Sequence, residues 1–285
     1  MEPTAPSIML AKYGLAPSRG RGQNFLSDPN VARKIVRAVG AEAGDTVVEI
    51  GSGFGAITFG LAETAGHLVA VELDAGIVRA FRAEYGEVPG VTLIHGDFLE
   101  VDLPRLWEDR GGSRLLVAGN LPYNVTSPIL ERLIVERARV ERAVLMVQAE
   151  VGARVVASPG SDDYSALSAV LQYHSAVASL FTVRRTCFTP RPRVDARVVE
   201  IDFSRGTRRS SDAATFAAVV HAAFGQRRKM LRRSLASLLD ARGLDAERLW
   251  KATGIDLARR GETLTVTEFD ALAVALDDPA IRRAH

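Results

Sequence analysis

The 285-residue chain predicts an α/β protein, with a mostly parallel sheet carrying helices on both faces and a small all-helical domain after it. Three observations carry this. Short apolar, β-branched runs alternate with stretches of helical period over the first two-thirds of the chain, the pattern of right-handed βαβ crossovers. The glycine-rich turn Gly51-Ser52-Gly53-Phe54-Gly55 leaves the first of these runs and enters a helix near Ala56. Beyond Asp212 the periodicity is helical throughout, with no convincing strand.

The elements follow in order. Tyr13 to Leu26 is a leading segment containing Gly and Arg, after which Asp28 caps a helix opened by Pro29 and stopped near Gly40. Strands are expected at Thr46–Ile50, Leu68–Glu72, Val91–His95, Leu115–Gly119, Ala143–Gln148, Ser179–Val183 and Arg197–Phe203. The last two lack an intervening helix and are expected to form an antiparallel hairpin at the sheet edge. From Ser204 to Asp212 no residue offers an apolar anchor, which marks a domain boundary. The expected domains are therefore 1–204, with 1–26 as a lead-in, and 212–285. The second holds helices at Ala213–Phe224, Arg227–Asp240, Ala246–Thr253 and Thr267–Leu276.

Composition narrows the class. With 47% hydrophobic and 25% charged residues the chain is globular, and its one cysteine, Cys187, allows no internal disulfide. A reducing compartment is expected. No apolar signal core follows the start, and no apolar segment approaches the roughly 20 residues of a membrane span, so a cytoplasmic protein away from membranes is expected. The net charge of +2 conceals −5 over residues 1–183, +10 over 184–260 and −3 over 261–285. That basic block implies a polyanionic partner. The five histidines have no metal-ligand spacing, so no metal is expected.

Asn120-Leu121-Pro122-Tyr123 follows the apolar run Leu115-Leu116-Val117-Ala118, and so belongs at the carboxyl end of a buried strand, where open α/β sheets bind ligands. The four residues suit a planar base bearing an exocyclic amino group. The Asn120 side-chain oxygen and the Leu121 carbonyl accept its hydrogens, making the nitrogen more pyramidal and aiming its lone pair at an electrophile. Pro122 holds Leu121 extended, and Tyr123 offers a face for stacking.

The turn around Gly51 suits an anionic group near a helix start, but it also satisfies the permissive dinucleotide fingerprint with Glu72 at the right offset. A nicotinamide enzyme competes at this point. Glu72 after the second strand suits ribose hydroxyls and Asp97 after the third suits an adenine amino group, and with the turn they form a nucleoside cradle. S-adenosyl-L-methionine is the cofactor that fits. A dinucleotide enzyme gives no equal reason for the Asn-Leu-Pro-Tyr element.

Gly22-Gln23-Asn24-Phe25-Leu26, the glycine turn, Glu72, Asp97, Asn120-Leu121-Pro122-Tyr123, Phe188-Thr189-Pro190-Arg191-Pro192-Arg193-Val194 and Phe224-Gly225-Gln226-Arg227-Arg228-Lys229 stand in one order along nearly the whole chain. In this order the sequence resembles the ribosomal RNA adenine N6,N6-dimethyltransferases, most of all the small-subunit (16S) enzymes. The resemblance implies a Rossmann-like class I fold dependent on S-adenosyl-L-methionine. It implies that Asn24 and Leu26 close over the cofactor while Gly51, Glu72, Asp97 and Asn120 complete its contacts. It further implies that Tyr123 and Phe188 sandwich the target adenine; independently, Phe188 precedes a Pro-rich turn where a ring can be held exposed. Ser52, Ala196 and Arg233 stand where the family usually has Pro, Ser and Asn, and none of these removes a proposed catalytic group.

Arg227, Arg228 and Lys229 are expected to open a helix continuing through Arg232 and Arg233, so that Arg228 and Arg232, and Lys229 and Arg233, share faces toward phosphates. Arg184, Arg185, Arg191 and Arg193 extend the basic surface. The expected activity is dimethylation of two adjacent adenines in a hairpin loop near the 3′ end of 16S rRNA. The chain would act as a monomer on the small ribosomal subunit or its assembly precursor. A large-subunit (23S) adenine methylase and a non-catalytic assembly or transcription factor of the same fold are the alternatives.

Overall fold

A computed structural model describes the chain except residues 19, 21, 123–124, 207–209, 227 and 282–285. Nine strands are present among the described residues: β1 (Phe25–Leu26), β2 (Thr46–Ile50), β3 (His67–Glu72), β4 (Val91–His95), β5 (Leu115–Asn120), β6 (Val140–Gln148), β7 (Ala176–Val183), β8 (Phe188–Thr189) and β9 (Ala196–Asp202). Seven build one sheet in the order β4-β3-β2-β5-β6-β9-β7. The pairs β3–β4, β2–β3, β2–β5 and β5–β6 are parallel, while β9 runs antiparallel to β6. The two strands expected as an edge hairpin are neighbours, with β7 outermost. The short strands β1 and β8 pair separately, in antiparallel fashion.

Burial on both faces explains why the central strands read as continuous apolar runs. Val47, Leu68, Leu116, Ala118, Val144 and Met146 share one cluster with Ile35 and Val39 of the helix Pro29–Val39. With a side-chain period of two, the equally buried Val48, Val69, Val117 and Leu145 face the opposite layer. The helix Pro29–Val39 starts and stops as its sequence demands. Asp28 accepts from the amides of Asn30 and Val31, and Gly40 closes the far end in the left-handed region.

The helix Pro6–Lys12 was not anticipated. Its Met9 is fully buried against Phe54, Ile77 and Ala80. Hydrogen bonds fasten this segment: Glu84 accepts from Thr4 Oγ1 (3.0 Å), Lys12 Nζ (2.6 Å) and Tyr13 Oη (2.8 Å), and Tyr85 Oη accepts from the Thr4 amide (2.8 Å).

The chain divides into two compact units, Met1–Gly152 with Val177–Ser204, and Ala153–Ala176 with Arg205–His285. The segment Ala153–Ala176, expected within the first domain, thus belongs to the second. Its aromatic residues supply the reason. Tyr173 stacks on Phe216 (3.8 Å between centroids) and donates to the Ser211 carbonyl (2.8 Å), while Tyr164 meets Phe224 edge-on. These rings join Val219, Leu231, Leu249 and Phe269 in a core separate from that of the sheet.

Candidate active site

The site is assembled at the carboxyl ends of the parallel strands. After β2 the backbone turns at Gly51 (φ +72°), whose amide donates to Val71 O at 2.8 Å. Gly53 (φ +55°) brings the turn under Phe25, and a Cβ there would lie 3.3 Å from the Phe25 ring, so both space and backbone angle call for glycine. A cavity of about 880 Å³ opens here, lined by Leu26, Glu49, Gly51, Gly53, Asn120 and Met146 among others.

Glu72 ends β3 almost wholly buried, and burial raises the pKa of its carboxyl. Oε2 accepts from the Gly53 amide and Oε1 from the Asp74 amide, each at 2.9 Å. It therefore braces the glycine turn, with lone pairs to spare for a ligand. Asp97 follows β4 and accepts from the Leu99 amide at 2.9 Å. Neither acid lines the larger cavity. Asp97 opens instead on a separate depression of about 370 Å³.

Asn120 is the last residue of β5 and lines the larger cavity. Its Nδ2 donates to the Asn24 main-chain carbonyl (2.9 Å), and Oδ1 accepts no hydrogen bond among the described residues. The Leu121 amide continues the pairing with β6 by donating to Met146 O (2.9 Å), its side chain buried, and no hydrogen bond among the described residues takes its carbonyl. The Pro122 carbonyl instead accepts from the Val125 amide (3.3 Å) and Thr126 Oγ1 (3.2 Å), fixing the turn into the helix Thr126–Val135. Tyr123 lies outside the described residues.

Phe188 departs from expectation. Its ring is only 5% exposed and packs in the cluster that holds Leu26, Ile35 and Val198, so it is not displayed by its loop. The pairing of β1 with β8 is the cause, since it sets Leu26 directly opposite Phe188. Leu26 lines the cavity, and Asn24 meets the site through its main chain, its side-chain amide turning back to Gly22 O (3.0 Å).

The expected basic helix is also corrected. The helix begins at Leu231, so Arg228 and Lys229 precede it, and Arg227 lies outside the described residues. Backbone pairing with a later segment competes for the amides. Met230 forms a bridge with Arg260, the Leu231 amide donates to Arg259 O (2.8 Å) and the Arg232 amide to Leu257 O (3.0 Å). Arg228 and Lys229 share no helix face with Arg232 and Arg233, though all four are exposed. In the other unit Arg184, Arg185, Arg191 and Arg193 are exposed as well.

Glu49 was not singled out for the site. It stands inside the wholly buried β2, and its Oε2 has no hydrogen-bond partner among the described residues. Burial, reinforced by the Glu72 charge and opposed by the neighbouring Thr58 hydroxyl, pushes its pKa up to about 8. An acid interrupting the apolar run Thr46–Ile50 was the available signal.

Comparison with known proteins decides the family. Residues 18–272 match the family described as ribosomal RNA adenine dimethylase. The chain belongs to that family. Among relatives named ribosomal RNA small subunit methyltransferase A, the protein of Moorella thermoacetica is 44% identical over 94% of this chain and 95% of its own length. That of Desulforapulum autotrophicum is 42% identical over 96% of each. Two solved members of the fold agree with the architecture. A dimethyladenosine transferase from Plasmodium falciparum superposes with a TM-score of 0.72 at 21% identity, over 88% of this chain and 96% of its own. The 23S rRNA methyltransferase ErmE gives 0.69 at 21% identity, over 90% and 100%.

Proposed function

We propose that the protein transfers methyl groups from S-adenosyl-L-methionine to N6 of two adjacent adenines in a 3′-terminal hairpin loop of 16S rRNA, within the small subunit or its precursor. The observation that carries the chemistry is the anchored Asn120 amide on the wall of the cavity, its oxygen accepting no hydrogen bond among the described residues. Relatives more than 40% identical and named for the small subunit favour the 16S substrate over the 23S one. Asn120 Oδ1 and Glu49 Oε2, both without a hydrogen-bond partner among the described residues, also favour an enzyme over a binding factor of the same fold.

The residues fit the cofactor. Glu49 Oε2, on the cavity wall and without a hydrogen-bond partner among the described residues, suits a hydrogen-bonding ligand group. Glu72, which braces the glycine turn from outside the cavity lining, would take ribose hydroxyls with its remaining lone pairs. When bound, S-adenosyl-L-methionine supplies a methyl group on a sulfonium, already an excellent leaving group. Gly51, Leu26 and Asn120 would hold it at the cavity, and Asp97, which lies outside the cavity lining, would take the adenine amino group where the cofactor extends past the glycine turn. Asn120 Oδ1 and the Leu121 carbonyl would accept hydrogen bonds from the N6 hydrogens of the target, loosening the nitrogen lone pair from the ring and directing it, and one N6 proton would pass to solvent with each methyl gained. Alignment and electrostatics account for the rate, with no metal called upon.

Tyr123 would stack on the target base. Phe188 would supply a second face only once Leu26 lifts from it, because the ring is covered in the present conformation. Arg184, Arg185, Arg191 and Arg193 in one unit, and Arg227, Arg228, Lys229, Arg232 and Arg233 in the other, would meet rRNA phosphates. The protein is expected to act in the cytoplasm as a monomer. Incubation with unmodified small subunits and methyl-labelled cofactor tests the proposal. Label on N6 of two neighbouring adenines of 16S rRNA is expected, whereas label confined to 23S rRNA, or none, would sink it.

A further inference from the structure

The proposed chemistry needs the Asn120 amide one way round, with oxygen toward the target and nitrogen away. In the structure the nitrogen is held by the Asn24 main-chain carbonyl at 2.9 Å. Turning the amide over would set oxygen against oxygen, so that carbonyl selects the productive orientation. The question becomes what holds Asn24.

Its neighbour Phe25 is pinned from two sides. The ring packs on the glycine turn, 4.6 Å from the Phe54 centroid and tight against Gly53. The backbone pairs with Thr189. On the preceding side Gln23 is tied by its Oε1, which accepts from the Ser18 amide (2.7 Å), and by its Nε2, which donates to Asp74 Oδ2 (3.3 Å). A two-residue strand pair has little stability of its own, so the ring supplies the anchorage that the pairing lacks. We propose that Phe25 is a positioning residue for Asn120, holding the Asn24 carbonyl against the amide nitrogen so that the amide oxygen faces the target amino group. The inference rests on the methyl-transfer reading for its consequence in rate, and on geometry alone for its consequence in structure.

Two measurements on the full chain separate these. In the unliganded protein the Asn120 side-chain NH₂ signals, assigned by their absence from an Asn120→Ala spectrum, are expected to be protected from solvent exchange. Phe25→Ala should abolish that protection, and Phe25→Leu should restore most of it. In single-turnover methylation Phe25→Ala should lower the rate constant roughly tenfold to a hundredfold, with cofactor and RNA dissociation constants changed less than about threefold. Unaltered Asn120 protection in Phe25→Ala, or a loss confined to cofactor or RNA affinity, would overturn the proposal. Should Phe25→Ala fail to fold, the milder Phe25→Val decides alone: reduced Asn120 protection with a proportionally reduced rate upholds the role, and full protection with a normal rate refutes it. An inactive wild type would count against the functional reading, while the exchange measurement would still judge Phe25.

Discussion

Two kinds of residue make up the proposed site, and they differ in how they are held. Glu72 and Asn120 are the last residues of β3 and β5, in register with His95 and Met146 of the neighbouring parallel strands, and Gly51 directly follows β2 with its amide on Val71 O. Phe188 and the pair Arg228 and Lys229 belong to connecting segments whose conformation depends on remote partners: Leu26 for the first, the segment Leu257–Arg260 beside the second. The strand-end residues lie where a periodic pattern puts them. The loop residues lie where docking puts them, and docking has no period.

The sharpest way to break this comparison is at Asn120. Asn120→Ala should reduce the methylation rate constant by roughly 10² to 10³, as for removal of one preorganised hydrogen-bonding group, with RNA affinity nearly intact. Equal losses in rate and affinity would move Asn120 into the same class as the loop residues.

Glu49 tests the strand-end class from the side of stability. Its carboxyl is an ordinary acid when unfolded but has a pKa near 8 when folded, so the folded state binds the extra proton between those values. Stability is therefore greatest below the unfolded pKa and declines as pH rises toward and through 8. Glu49→Gln should remove that decline and gain on the order of a few kcal/mol over the wild type at pH 9. Urea midpoints across pH 5 to 9 measure it, and parallel curves for the two proteins would disprove a neutral buried Glu49.

Smaller effects belong to the loops. Replacing Arg228, Lys229, Arg232 and Arg233 by Gln one at a time should each flatten the dependence of log K on log salt by about 0.7 to 0.9 if the side chain meets a phosphate. Filter binding to a small-subunit hairpin at several salt concentrations would sort them, and an unchanged slope would assign that residue to the solvent. The smallest effect is expected at Phe188. Phe188→Leu keeps most of the buried volume and should cost about 1 kcal/mol of stability, with little change in rate if the ring only packs. A rate loss much larger than the stability loss would mean that the ring leaves its cluster to stack on the base.

The same contrast explains what was legible beforehand. The central strands were readable because apolar runs such as Thr46–Ile50 and Leu115–Gly119 are buried on both faces, the half-exposed edge strand Val91–His95 because it continues the same alternation with helices, and the helix Pro29–Val39 because Asp28 and Gly40 punctuate it. The helix Pro6–Lys12 was missed because Met9 finds its partners, Phe54 and Ile77, far along the chain. Continuity of a helix from Arg227 was misread because its amides are claimed by carbonyls of Leu257 and Arg259, which leave no trace in local spacing. The move of Ala153–Ala176 into the second unit follows from Tyr164 and Tyr173 preferring aromatic company at Phe216 and Phe224, again a nonlocal choice.

The fastening of Thr4, Lys12 and Tyr13 to Glu84 and Tyr85 has a practical corollary. A shortened protein beginning after Tyr13 would strip the greasy backing from Phe54 and leave Glu84 without three of its donors. Such a trimmed version would be a poor proxy for the whole enzyme in any titration of cofactor, because the wall behind the glycine turn would have gone with the discarded piece.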